Sequence, residues 1–137
     1  ASGGNMNAAT YGNYGAGTQT AGLGVGGGDP VVAETGEYNG STWTDVGNAP
    51  EARKMMGRSG TQTAGIGFGG YISAQSALTE LFDGTSWNEL ADMGTARYRV
   101  AGGSASPQAA SVVFGGGPGS YSATEEWTLS EQNAVVG

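Results

Sequence analysis

The acidic and basic side chains that could do chemistry recur at regular intervals along the chain. Glu80, Glu125 and Glu126 lie within two residues after a threonine at matching points of a repeat, and paired carboxylates are the groups that glycoside hydrolysis uses. Arg53 and Arg97, in another repeated position, could bind an anion. Because repetition favours a structural role or simple solvation, we expect none of the five to be catalytic and the protein not to be an enzyme.

The composition excludes several other kinds of chemistry. The 137 residues include no cysteine and no histidine, which removes disulfides, imidazole-ligated metals and catalysis by Ser-His-Asp or Cys-His groups. Five basic against twelve acidic residues give a net charge of -7, which would repel a phosphate backbone. No run of eighteen apolar residues occurs. We therefore expect no cofactor, no metal, no nucleic acid and no membrane partner.

Glycine accounts for 28 residues, and its placement follows a repeat of about 44 residues. The segment 18–22, Thr-Gln-Thr-Ala-Gly, recurs at 61–65, and each copy runs into an alternating apolar stretch that ends in a glycine pair. A third copy covers 108–116. The repeated glutamines are Gln19, Gln62 and Gln108. They are expected either to ring a central channel or to bond between repeats.

Alternation with a period of two predicts strands, about four in each repeat and no helix. Glycines on one face of the second strand predict close approach, either of a neighbouring sheet or of crowded inner strands. Asn39-Gly40 and Asp83-Gly84 predict two-residue type I′ hairpins. The strands are expected at roughly 8–16, 18–26, 32–38 and 42–47, then 52–60, 61–69, 76–82 and 86–91, then 96–103, 107–115, 122–128 and 131–136.

The repeat resembles the kelch motif, with an arginine, a strand that ends in Gly-Gly, an aromatic residue and a tryptophan. In the best copy these are Arg53, Gly69-Gly70, Phe82 and Trp87. The five-residue interval from Phe82 to Trp87 is shorter than in most kelch repeats, which implies a tighter hairpin. The residue pattern of the repeat is similar to that of kelch-like variants in virion and surface proteins of marine phages and bacteria.

The resemblance implies an all-β fold of three four-stranded propeller blades, at about 6–48, 49–92 and 93–137, within one segment that spans 1–137. Closed propellers have about four to eight blades, so three leave two open edges. We expect the ring to be completed by a second copy, which would give six blades, or by further sequence.

Most repeated positions are assigned to structure, and the variable loops to binding. Loops vary and carry binding residues, which makes Asp29, Tyr71 and Tyr121 the candidates for a ligand or partner surface. The residues with expected structural roles are Tyr38, Trp43, Arg53, Gly69, Gly70, Phe82, Trp87 and Arg97. The aromatic members, with Trp127, are expected in the core between blades.

The function that follows from the resemblance is structural and adhesive. The chain is expected to be a non-catalytic virion or extracellular surface component whose loops meet a partner or a host glycan. Two alternatives remain open, a free-standing lectin-like carbohydrate-binding module and a propeller glycosidase.

Overall fold

The computed structural model describes residues 2–103 and 110–128, together with the backbone of 135–136. The described residues form three antiparallel sheets and no helix, which confirms the all-β fold class. Each sheet takes its four strands in chain order, so each is a meander. Within these residues, no helix is long and apolar enough to cross a membrane.

The strand boundaries repeat closely from sheet to sheet. The first sheet contains β1 (Tyr14–Thr18), β2 (Ala21–Val25), β3 (Thr35–Tyr38) and β4 (Trp43–Val46). The second sheet contains β5 (Gly57–Thr61), β6 (Ala64–Phe68), β7 (Thr79–Phe82) and β8 (Trp87–Glu89). The third sheet contains β9 (Ala101–Gly102), β10 (Ala110–Phe114), β11 (Thr124–Thr128) and β12 (Val135–Val136).

The first strand of each sheet begins about five residues later than predicted, at Tyr14, Gly57 and Ala101. The cause is a left-handed residue just before each strand. Gly12, Met55 and Arg99 have φ values of 66°, 59° and 54°, a conformation that an extended strand does not contain. The backbone N–H of Met55 donates to the Gly12 carbonyl at 2.7 Å, and that of Arg99 donates to the Met55 carbonyl at 2.7 Å. These segments therefore join neighbouring repeats instead of extending the strands.

The prediction of type I′ hairpins is wrong. Tyr38 pairs with Trp43, so the loop has four residues. Only the glycine of Asn39-Gly40 has positive φ, at 97°. The Asn39 side-chain oxygen instead accepts the backbone N–H groups of Ser41 and Thr42, each at 2.9 Å. The side-chain cap has replaced the second left-handed residue that a type I′ turn needs.

Two apolar cores lie between the sheets. The first joins the first and second sheets, and its buried members are Tyr14, Leu23, Val25, Ala49, Met56, Phe82 and Trp87. The second joins the second and third sheets, and its buried members are Ile66, Phe68, Leu90, Met93, Val100, Val113 and Trp127. The second sheet is therefore covered by a neighbouring sheet on both faces, and the first and third on one face each. The N-terminal segment lies against the other face of the first sheet, where Met6 is near Gly24 and Trp43 and Asn7 Nδ2 donates to Asp45 Oδ1 at 2.7 Å.

Glycines on β6 allow the first sheet to approach closely. A Cβ at Gly65 would lie 2.9 Å from Leu23 Cδ2. A Cβ at Gly67 would lie 2.9 Å from both Met56 Cε and Tyr14 Oη. Side chains at these two positions would collide with the first core. The alternation of glycine with apolar residues therefore has the steric cause that the sequence predicts.

Candidate functional site

Arg53 and Glu80 form a buried ion pair within the second repeat. The Arg53 side chain is fully buried, and its Nη1 donates to the carbonyls of Gly69, at 2.5 Å, and Leu78, at 3.3 Å. Its Nη2 donates to Glu80 Oε2. The guanidinium thus holds the segment before β5 against the end of β6 and the start of β7. Its polar contacts are to the protein itself, which leaves it badly placed to bind an anion.

Arg97 and Glu125 repeat this arrangement in the third sheet. Arg97 Nη1 donates to the carbonyls of Gly115, at 2.9 Å, and Ala123, at 3.0 Å, and Nη2 donates to Glu125 Oε2 at 2.5 Å. Both arginines therefore bind the acid of their own sheet, not that of a neighbour. Glu126 is exposed on the opposite face of β11. Glu80 and Glu125 thus each bind an arginine, and Glu126 lies on the opposite face from Glu125.

The first sheet lacks both partners of this ion pair. Thr10 lies two residues before the left-handed Gly12, as Arg53 lies two residues before Met55. Gly36 stands where the second sheet has Glu80. A cavity of about 150 Å³ remains beside Thr10 and Gly36. Thr10 Oγ1 is buried there and has no hydrogen-bond partner among the described residues.

Two carboxyl groups of the second sheet have shifted pKa values. Burial raises the pKa of Glu80 above its ordinary 4.5, and the charge of Arg53 opposes part of that effect. The backbone N–H groups of Ser86 and Thr85 donate to Asp83 and hold its pKa below the ordinary 3.8. Asp83 is therefore an exposed turn cap, and Glu80 is a buried structural group.

The three loop residues predicted for binding do not form one site. Asp29 and Tyr121 are exposed, and Tyr71 is half-buried. The Tyr121 backbone N–H donates to the Gly116 carbonyl at 3.1 Å within its own loop. Tyr71 exchanges backbone hydrogen bonds with Lys54, at 2.9 and 3.1 Å. Of the three, within the described part of the chain, only Tyr71 joins a cluster of aromatic and basic side chains.

That cluster, the tyrosine patch, consists of Tyr11, Lys54, Tyr71, Tyr98 and Arg99. The Tyr71 and Tyr98 rings meet edge to face, with centroids 5.3 Å apart. Lys54 Nζ lies 5.4 Å from the centroid of the Tyr11 ring, and Arg99 Cζ lies 5.6 Å from that of Tyr98. Tyr11 is 54% exposed. The patch is thus a surface of aromatic rings and cations at one end of the sheets.

Four members of the tyrosine patch were not predicted from the sequence, because the residue type at these positions differs from repeat to repeat. They are Tyr11, Lys54, Tyr98 and Arg99. Tyr11, Lys54 and Tyr98 each immediately precede the left-handed residue of their repeat. The shared feature is an aromatic or basic residue at that position. This signal could have been found by aligning the repeats on their arginines.

The outer face of the first sheet, called the leading face, presents Gly22, Gly24, Gly36, Tyr38 and Trp43. Tyr38 and Trp43 are half-buried, so the prediction that both lie in a core between blades is wrong for this chain alone. The described residues of the other two sheets do not pack over them, but the N-terminal segment lies beside them, with Gly3 against the Tyr38 ring and Met6 near Trp43. A groove of about 640 Å³ runs along this face.

The outer face of the third sheet, called the trailing face, presents Val112, Phe114, Thr124 and Glu126. Phe114 is 42% exposed. The repeat-equivalent residues are Phe68 in the second sheet, 0% exposed, and Val25 in the first, 1% exposed. The same repeat position is therefore buried in the first and second sheets and exposed in the third.

Gln62 connects the second sheet to the first. Its Nε2 donates to the carbonyls of Gly22, at 3.1 Å, and Tyr38, at 2.9 Å. This geometry favours the bonding role over the channel for Gln62. The equivalent Gln19 lies at the open edge of the first sheet, beside the groove. Gln108 lies outside the described residues.

Comparison with known proteins gives no relative from which a role could be read. No protein-family model matches the chain, and no curated protein matches it.

Proposed function

We propose that the chain is a non-catalytic structural and adhesive component, three kelch-like propeller blades that display their loops to a host glycan or a protein partner. The setting we propose is a virion or an extracellular surface. That setting rests on the similarity of the repeat to kelch-like variants of phage and bacterial surface proteins.

The stacking of the three sheets supports the blade interpretation. Each is a four-stranded antiparallel meander, and the sheets pack face to face through two cores. The first strands of successive sheets, β1, β5 and β9, lie side by side. Propeller blades have this arrangement, with the first strand of each blade nearest the axis.

The observation that carries the adhesive role is the tyrosine patch. Tyr71 and Tyr98 offer aromatic faces on which a sugar ring can stack, and Lys54 and Arg99 can bind hydroxyl or acidic groups of a glycan. Of the five basic residues in the chain, Arg53 and Arg97 are buried in ion pairs. Of the remaining three, Lys54 and Arg99 lie in the tyrosine patch and Arg58 does not.

A non-catalytic role is supported by the use of the repeated acids. Glu80 and Glu125 each bind an arginine in the interior. A glycosidase needs one carboxyl group as acid and a second as base or nucleophile, both facing the substrate. Glu80 and Glu125, on the second and third sheets, face their arginines instead.

The test is a glycan array probed with the purified chain, followed by titration of any glycan that binds. Tyr98→Ala and Lys54→Ala should each weaken binding by about ten-fold, the equivalent of about 1.4 kcal/mol. Ile72→Ser, which changes an exposed apolar residue outside the patch, is the matched control and should bind as the wild type does.

Two outcomes of this experiment would contradict the proposal. Binding that survives both patch substitutions would move the ligand site elsewhere and overturn the proposal. Hydrolysis of the bound glycan, followed by release of reducing sugar, would contradict the non-catalytic role.

A further inference from the structure

We propose that the leading face of one copy of this chain binds the trailing face of a second copy, so that two copies close a ring of six sheets. The inference rests on the proposed blade architecture and names the partner that completes it. The interface between the first and second sheets is the template, because several of the contacts found there have equivalents at the outer faces that the described residues leave unmade.

The template interface joins a face with apolar side chains to a face with glycines. On the first sheet the side chains are Leu23 and Val25, which are 3% and 1% exposed. On the second sheet the glycines of β6 receive them, and a Cβ at Gly65 would lie 2.9 Å from Leu23 Cδ2. Phe82 and Trp87 border the glycines and complete the core.

The leading face of the first sheet has the same features as this receiving face. Gly22 and Gly24 stand at the positions of Gly65 and Gly67. Tyr38 and Trp43 form the same ring pair as Phe82 and Trp87, since both pairs have centroids 5.1 Å apart, at 34° and 37°. The groove of about 640 Å³ borders Gly22, Gly24, Tyr38 and Trp43, and an apolar face would enter it beside Met6 of the N-terminal segment, which also lines it.

The trailing face of the third sheet has the features of the inserting face. Val112 and Phe114 stand at the positions of Leu23 and Val25. Phe114 is 42% exposed and Val112 is half-buried, whereas Leu23 and Val25 are covered, so this face lacks the cover that its equivalent on the first sheet has.

Hydrogen bonds between neighbouring sheets form two series that end at these faces. In one series the N–H of Met55 donates to Gly12, and that of Arg99 donates to Met55. The next step would be from the Gly12 N–H to the Arg99 carbonyl of the second copy. In the other series, the backbone N–H of Gly27 donates to the carbonyl of Arg53 at 3.0 Å, and that of Gly70 donates to the carbonyl of Arg97 at 2.8 Å.

The next step of this second series would be from the Gly116 N–H to the Thr10 carbonyl of the second copy. Gly116 follows Gly115 as Gly70 follows Gly69, and Thr10 stands at the arginine position of the first repeat. Among the described residues, each series thus has one donor and one acceptor left at the outer faces.

Two side-chain contacts across the template give further partners. Trp87 Nε1 donates to Thr35 Oγ1 at 3.0 Å, and the equivalent pair would be Trp43 with Thr124 of the second copy. Gln62 Nε2 donates to the Tyr38 carbonyl, and the equivalent pair would be Gln19 with the Trp127 carbonyl of the second copy.

A second copy is the partner that the two faces fit. The chain carries both the inserting and the receiving face, so two copies can satisfy each other twice through identical contacts. Six sheets lie within the range of about four to eight blades that closed propellers have. A head-to-tail contact that closes on itself gives a finite ring instead of a filament.

The experiment is a mass measurement by light scattering over a concentration series. The wild type should have twice the 13.6 kDa mass of the chain. Phe114→Glu, on the trailing face, and Gly22→Val, on the leading face, should each have the mass of one chain and keep the circular dichroism of the wild type. Ile72→Glu, an exposed residue on neither face, is the control and should remain a dimer.

Mixing the two variants tests the head-to-tail geometry. A Phe114→Glu chain keeps an intact leading face, and a Gly22→Val chain keeps an intact trailing face. The mixture should therefore form a heterodimer through one wild-type contact, although neither variant dimerises alone. A contact between identical surfaces would give no such rescue.

The proposal is overturned if the wild type is monomeric throughout the series, or if the Phe114→Glu variant dimerises as the wild type does. The same samples are applied to the glycan array. A monomer that binds glycan through the tyrosine patch rejects only the ring, whereas a dimer whose binding ignores the patch rejects only the proposed function.

Discussion

The indole nitrogen of Trp87 donates a hydrogen bond to the hydroxyl of Thr35, 3.0 Å away and 52 residues earlier in the chain. Thr35 is 0% exposed, so this hydroxyl has no access to water. The bond crosses from the second sheet to the first and lies inside their shared core. It therefore fixes how two sheets that exchange no strands are positioned against each other.

Trp87→Phe should keep most of the apolar contact and remove this hydrogen bond. We expect a loss of about 1–2 kcal/mol in the free energy of unfolding, because the Thr35 hydroxyl is left buried without its donor. Urea denaturation in the Phe114→Glu background measures the loss without a contribution from association. Trp43→Phe in the same background should cost less, since Trp43 lies on the open leading face. Equal losses for the two would contradict the assignment.

Arg53→Met should be one of the most damaging single changes. It leaves the Glu80 carboxylate buried without its cation, for which the expected cost is about 3–5 kcal/mol. Thermal and urea unfolding measure it, with Arg58→Met as the control because Arg58 is exposed. The double variant Arg53→Met, Glu80→Leu should recover part of the loss, since no unpaired charge remains. A double variant no more stable than Arg53→Met would contradict the assignment of the loss to an unpaired Glu80 carboxylate.

Gly67→Val tests the close approach of the first and second sheets. The new Cβ would meet Met56 and Tyr14 at 2.9 Å, and overpacking of this kind costs about 1–3 kcal/mol. Gly22→Val is the matched control, because a Cβ there has its nearest neighbour at 3.4 Å. Compared at one chain concentration in the Phe114→Glu background, only Gly67→Val should lower the unfolding midpoint substantially. Similar midpoints would mean that the sheets can separate to admit a side chain.

The repeat made much of the fold predictable, because alternation and glycine placement report strands and close approach directly. The late start of the first strands was not predictable in the same way. Met55 and Arg99 adopt positive φ, which their residue types do not suggest. That conformation is stabilised by hydrogen bonds to the neighbouring repeat, a contact that no local pattern encodes.

The candidate site was predictable only in part, for a similar reason. The sequence placed Tyr71 in a variable loop. The rings and cations around it come from segments before the first strands of three different repeats. Which segments meet depends on the face-to-face packing of the sheets. Spacing along the chain does not give that packing.

The stability of the chain should fall as the pH rises through the interval just above 4.5, and Glu80 should be the cause. Burial raises the pKa of Glu80 in the folded chain above its ordinary 4.5, so the folded chain holds this proton more tightly than the unfolded chain does. Its contribution is therefore fully present below 4.5 and is lost as the pH rises through the raised pKa. The pKa of Asp83 is lowered from 3.8, so its contribution is lost only as the pH falls below that value.

Urea unfolding at a series of pH values measures this slope in the wild type and in Glu80→Gln, which cannot titrate. The free energy of unfolding of the variant should be flatter above pH 4.5, because the variant has no proton to lose at this position. Glu34→Gln is the control, since Glu34 is exposed, and it should keep the wild-type slope. A Glu80→Gln variant with that same slope would mean that Arg53 holds Glu80 ionised throughout, against the desolvation that burial imposes.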